Sequence, residues 1–218
     1  MNADFSELRT KMVDGQVRTT DVTDPAILAA MLAIPREAFV DEGRRPLAYI
    51  DEDIEIAPGR YLMEPSPFAK LVQLAAIRPG ETVLDVGAGT GYSSAVLSRL
   101  AGRVVALESD AALADRARAA LGDLAIDNVA VVTGPLGVGH AEAAPYDVIL
   151  LEGAVEVLPD ALFAALRDGG RLIAVEGRGN AGVARLYLKS GGTVTGRRAF
   201  NAAVKPLPGF ERTPAFVF

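Results

Sequence analysis

Residues 81–97, ETVLDVGAGTGYSSAVL, run from a short apolar stretch straight into three glycines at alternate positions, then into a segment of helical character. A strand that ends in such a turn and re-enters as a helix is the start of a βαβ unit. The alternation continues downstream. Apolar runs TVLDV (82–86), RVVALE (103–108), NVAVVT (128–133), YDVILLE (146–152) and GRLIAVE (170–176) are separated by helical segments at 91–101, 110–121 and 159–166. Continuous apolar strands belong to parallel sheets covered on both faces. The pattern predicts an α/β fold with a doubly wound, mostly parallel sheet. After residue 182, RLYLK and TVTGRRAF read as an antiparallel pair turning at Ser190-Gly191-Gly192, and the terminal PAFVF as one more strand.

The first 78 residues have a different texture. A helix is expected over 4–17, with Phe5, Leu8, Met12 and Gly15 along one face. Asp24 fits an N-cap and Pro25 a first helical turn, ahead of an apolar stripe of Ile27, Leu28, Met31 and Leu32 that Pro35 ends. Residues 40–60 are rich in Pro, Gly and acids, with one extended piece, DIEIA. A further helix is expected over 65–77, burying Phe68, Leu71, Val72 and Ala75. The division predicted is a helical cap with an acceptor-site loop at 1–78, packed on a ligand-binding α/β domain at 79–218.

Composition removes several classes of function. The net charge of −6 argues against nucleic acid as a main partner, because phosphate binding needs clustered Lys and Arg. With no cysteine, thiolate catalysis, disulfides and Cys-bound metals are excluded. His140 is the single histidine and no G-x-S-x-G elbow exists, so neither a zinc site nor a serine hydrolase has the residues it needs. The opening residues are too charged for a signal peptide, and no apolar run approaches the roughly 18 residues of a membrane span. A cytoplasmic protein is expected.

The glycine loop selects its ligand by charge. A dinucleotide fingerprint is G-x-G-x-x-G, whereas here Gly87, Gly89 and Gly91 are evenly spaced and Tyr92 stands at the third-glycine position of that fingerprint. Asp85, two residues before Gly87, would repel a pyrophosphate but suits a cation. The acidic-x-G-x-G-x-G order fits S-adenosylmethionine, which carries a sulfonium and an ammonium. Glu108 closes the next strand, where a carboxylate can accept both ribose hydroxyls. A nicotinamide dehydrogenase is disfavoured by the spacing and by the lack of an acid–base pair.

The chain resembles the protein-L-isoaspartate O-methyltransferases. The resemblance rests on MVDGQVRTTDVTDPAILAAMLAIPREAFV (12–40), Ala48-Tyr49-Ile50-Asp51, VLDVGAGTGYSSAVLSRL, NVAVVTG, YDVILLEGAVEVLP and LRDGGRLIAVEG, in that family's order across residues 5–177. It implies a Rossmann-like methyltransferase fold with S-adenosylmethionine as cofactor and an isoaspartyl protein or peptide as partner. Carried over, it places Asp85, Gly87, Gly89 and Gly91 along the methionine and ribose, with Glu108 and Ser109 at the ribose. Two departures stand out. The family's Thr-Ile-Ser stretch, whose serine assists at the substrate, is here Tyr61-Leu62-Met63, leaving Tyr61 and Met63 as candidate catalytic positions. The family's Gly-Asp-Gly after the third strand is Gly134-Pro135-Leu136, so adenine recognition falls to packing and to a backbone group at Leu136. Methylating a carboxylate needs no general base, since the acceptor is ionised near neutrality. The alternative is a cofactor-binding homologue with another acceptor or lost catalysis.

Overall fold

The computed structural model describes residues 4–212; the strand expected at PAFVF lies outside them. A seven-stranded sheet forms the centre, built from β3 (Thr82–Val86), β4 (Arg103–Glu108), β5 (Val129–Thr133), β6 (Tyr146–Val155), β7 (Leu166–Glu176), β8 (Val183–Ser190) and β9 (Thr193–Asn201). Its order is β5-β4-β3-β6-β7-β8-β9. The first five strands in that order run parallel, and β8 and β9 are antiparallel. The order reverses at β3, so the crevice beyond its carboxyl end is the switch point where open α/β sheets take ligands.

Alternation along the strands divides the core between two faces. Val83, Val148, Leu150, Ile173 and Val175 pack on one side, against the N-terminal helices, α3 (Pro65–Ala75), α4 (Tyr92–Ser98) and α5 (Ala111–Asp123). Leu84, Val86, Ile149, Leu151 and Leu172 pack on the other, under α6 (Asp160–Ala164) and the segment carrying Leu207 and Phe210. Among the described residues no helix is long and apolar enough to cross a membrane.

The N-terminal region departs from its expected pattern in two places. Helix α1 (Phe5–Met12) gives way to a π-helical turn at Val13–Val17 and a 3₁₀ turn at Arg18–Thr20. The wider turn moves the buried stripe to Met12, Val13 and Val17 and leaves Gly15 exposed. Helix α2 (Pro25–Ala33) starts as its sequence dictates: the Asp24 carboxylate accepts the Ala26 amide at 2.8 Å. The irregular stretch contains a hairpin of β1 (Ile54–Ala57) and β2 (Arg60–Leu62), of which only the first strand is evident in the sequence.

Candidate cofactor and acceptor site

The loop after β3 is held by the neighbouring strand. The amides of Gly87 and Ala88 both donate to the Leu107 carbonyl, at 2.8 and 3.2 Å. Gly87, Gly89 and Gly91 take φ of 84°, 57° and 96°, the left-handed region that glycine enters without cost. Side chains crowd the outer side of this loop. A Cβ on Gly87 would meet Leu207 at 2.5 Å, and one on Gly89 would meet Ile56 of β1 at 2.7 Å.

Asp85 is fully buried, and its Oδ2 accepts the Ser93 hydroxyl at 2.7 Å and that of Ser94. Glu152 at the end of β6 adjoins it. Burial pushes Asp85 up to about 6, with its serine partners pulling the other way. Burial raises Glu152 well above the carboxylate range, and the charge of Asp85 raises it further. Asp85 Oδ1 and Glu152 Oε1 are both enclosed and unmatched by any N–H or hydroxyl donor. Ionisation of Glu152 is thus opposed by the enclosure of its carboxyl and by the neighbouring acid. A cationic group is the ligand that such a pair can accept.

Glu108, also fully buried, is saturated with donors. The amides of Gly89, Ser109 and Asp110 reach it at 2.8, 2.7 and 2.9 Å, and the Ser109 hydroxyl at 3.3 Å. Arg60, from β2, completes the set. Its Nη1 and Nη2 bind both carboxylate oxygens, the latter at 2.7 Å, and Nη2 also donates to the Gly87 carbonyl at 3.2 Å. Sequence reasoning passed over Arg60. The signal was present: strict alternation in β2 puts Arg60 on the inward face shared with Leu62.

Beside the glycine loop, Tyr61, Met63 and Glu152 line two small adjoining clefts. One continues to Asp53, Arg60 and Lys205, the other to the glycine loop and Ser93. The Lys205 ammonium lies 5.5 Å from the centre of the Tyr61 ring. The Met63 backbone is fixed by Arg36, a second residue that sequence reasoning missed. Buried Arg36 donates to the carbonyls of Met63 and Ala48, each at 2.7 Å, and stacks 4.7 Å above the Tyr92 ring. Its burial gave no sequence signal beyond apolar neighbours in IPREAF.

The predicted residues therefore gather as follows. Asp85, Gly87, Gly89, Gly91, Glu108 and Ser109 form one continuous cradle, with Tyr61 and Met63 at its open side. Leu136 is buried in a 3₁₀ turn after β5, in the core layer that includes Leu84 and Leu107. Ser66 donates to Thr20 at 3.0 Å and is committed there. Arg178 and Arg185 pair with Glu156 at 2.6 Å and Glu176 at 3.3 Å, at the rim of a separate surface hollow. The donor set of the cradle fits a ligand bearing an ammonium or sulfonium and a diol, with one condition: Arg60 shares Glu108.

Comparison with known proteins places the chain in a family. The sequence profile of the protein-L-isoaspartate(D-aspartate) O-methyltransferase (PCMT) family matches residues 7–209. The protein-L-isoaspartate O-methyltransferase 1 of Rhodopseudomonas palustris (strain HaA2) is 42% identical over 169 residues, covering 78% of this chain and 69% of that protein. The protein-L-isoaspartate O-methyltransferase of Methylorubrum extorquens (strain PA1) is 43% identical over 173 residues, covering 78% and 74%. A solved protein-L-isoaspartate O-methyltransferase superposes with a TM-score of 0.79 at 28% identity, over 94% of this chain and 66% of that one. Fold and sequence agree, and the chain belongs to the protein-L-isoaspartate(D-aspartate) O-methyltransferase family.

Proposed function

We propose that this protein transfers a methyl group from S-adenosylmethionine to the free carboxylate of an isoaspartyl residue in a protein or peptide. The observation that carries the assignment is the glycine loop flanked by two buried carboxylates, Asp85 and Glu108. In this reading the Asp85–Glu152 pair faces the positive methionine end of the donor, and Glu108 with Ser109 holds the ribose. Leu136 bounds the adenine. The donor supplies an activated methyl on a sulfonium. A carboxylate oxygen forms the new carbon–oxygen bond, the carbon–sulfur bond breaks, and its electron pair stays on sulfur.

No proton moves in that step, which fits an acceptor pocket where Met63 replaces a hydroxyl. The pocket's task is alignment and exclusion of water, which can contribute roughly 7–11 kcal/mol to lowering a barrier. Residues 1–78 act as the cap that shapes this pocket, with Tyr61 and Met63 against the acceptor. A protein or peptide partner, met in the cytoplasm, suits the net charge of −6 better than a nucleic acid does.

The test uses labelled S-adenosylmethionine with an isoaspartyl peptide and its normal aspartyl twin. Methyl ester on the isoaspartyl peptide alone is the expected result. S-adenosylhomocysteine binding with ester on neither peptide would reassign the chain to a homologue with another acceptor or lost catalysis, a reading that Met63 and Pro135 favour.

A further inference from the structure

We propose that Arg60 serves both halves of the site in turn, binding Glu108 before the donor arrives and the acceptor carboxylate afterwards. The inference rests on the methyltransferase assignment above and adds a positioning residue to it. Glu108 is the starting point. A carboxylate has about four lone-pair sites. Here they face three backbone amides, one hydroxyl and two guanidinium N–H groups. A ribose diol can be accepted only if a donor leaves. The amides of Gly89, Ser109 and Asp110 are fixed by the loop and the start of α5. The Ser109 hydroxyl, at 3.3 Å, frees only one lone pair when it turns away, so making room for both hydroxyls falls to Arg60, the partner on a flexible stem.

The element that carries Arg60 is suited to movement. The β1–β2 hairpin stands outside the main sheet, turns at Pro58-Gly59 and has an irregular register between Glu55 and Ala57. It is tethered by side chains: Arg116 donates to the Ile56 carbonyl at 3.0 Å and Arg44 to that of Glu55. Its Ile56 covers Gly89.

A guanidinium displaced from Glu108 needs a counter-charge, because a buried unpaired cation is costly. Arg60 already lines the cleft shared by Tyr61, Met63, Glu152 and Lys205. An isoaspartyl carboxylate entering that cleft would meet Arg60 and Lys205 beside the acids Asp53 and Glu152, so it needs a freed guanidinium to be held, and Arg binds carboxylates with two parallel hydrogen bonds. Tyr61 and Met63 follow Arg60 along the chain, so the same displacement would set the acceptor wall. The donor would then bind first and prepare the acceptor pocket.

The test compares wild type, Arg60→Gln and Arg60→Lys. S-adenosylhomocysteine affinity is measured by calorimetry, and KM for an isoaspartyl peptide by methyl transfer. Arg60→Gln removes a competitor for Glu108 and a ligand for the acceptor. It should bind S-adenosylhomocysteine about tenfold more tightly and raise peptide KM about tenfold, with Arg60→Lys recovering part of the KM change. A residue that only supports packing would weaken both. Equal or weaker nucleoside binding, or an unchanged KM, overturns the proposal while leaving the methyltransferase assignment intact. Wild-type protein that neither binds S-adenosylhomocysteine nor methylates the peptide overturns both. Should Arg60→Gln fail to fold, wild type alone decides: S-adenosylhomocysteine should tighten isoaspartyl-peptide binding about tenfold, and unaltered peptide affinity refutes the handover.

Discussion

Glu152 stands two residues beyond Leu150, the position at which β6 pairs with Asp85 of β3, so the two carboxyls meet on one face at the sheet's carboxyl edge. Residues in register on parallel strands point the same way, and a step of two preserves that direction. The sheet itself therefore forces the acids together, and burial denies them the water that would let both ionise.

That pair makes stability fall as pH rises. Asp85 moves from 3.8 to about 6 on folding, so its contribution is complete below pH 4 and lost as pH climbs through 6. Glu64, raised to about 7 by burial and then by Asp51, acts in the same sense. The Asp85 shift corresponds to about 3 kcal/mol. Urea unfolding at pH 5 and pH 8 should show the lower stability at pH 8. Glu152→Gln removes the competing acid and should flatten the difference. An identical slope in wild type and variant would contradict this account.

Replacing Arg36 should loosen the backbone at Met63 without touching the glycine loop. Arg36→Lys loses the planar stack on Tyr92 and cannot reach both carbonyls with the same fork. We expect a loss of about 2–4 kcal/mol in urea unfolding, since hydrogen-bonded buried charges are costly to unmake. A change within experimental error would show that Tyr92 and the neighbouring apolar residues hold Met63 unaided.

Gly89→Ala forces a side chain into φ of 57° and against Ile56. The backbone part should cost about 1–2 kcal/mol. Adding Ile56→Ala relieves the contact but not the dihedral, so thermal unfolding of the double variant should recover only part of what Ile56→Ala alone retains. Full recovery would mean that the strain lies wholly in the contact.

The two acids of the cradle should separate by phenotype. Asp85→Ala and Glu108→Ala should each weaken S-adenosylhomocysteine binding by about 1–3 kcal/mol. Glu108→Ala also leaves Arg60 buried without its partner and should destabilise the fold by about 3–5 kcal/mol. Arg60→Met in the same chain should restore much of that loss. Calorimetry and urea unfolding check the two effects independently.

Much of this arrangement was legible in the sequence because it depends on local patterns. The apolar runs marked every parallel strand, since strands covered on both faces carry few polar positions, and the acids Asp85, Glu108 and Glu152 fall toward the carboxyl ends. Asp24 and Pro25 marked the start of α2, and the glycine spacing marked the positive-φ turn after β3, which lies between Asp85 and Glu108. The missed parts depend on tertiary partners. Gly15 fell off the buried face because a π turn changes helical phase, which no propensity of Val13–Val17 announces. Arg60 and Arg36 are charged residues in the interior, and only the acids and carbonyls that meet them explain their burial. Glu152 closes the apolar run YDVILLE, but its raised pKa depends on Asp85 beside it, which only the sheet register brings there.

The sheet also grows by two mechanisms, one at each end. From β7 outward the strands follow one another through short reversals, the last at Gly191-Gly192. On the other side each addition waits for an intervening helix to loop across. Closing a short hairpin costs far less chain entropy than closing a crossover. During refolding the β8–β9 edge can therefore zip up locally. The cradle, drawn from strands and a hairpin far apart in the chain, assembles only when the long-range half arrives.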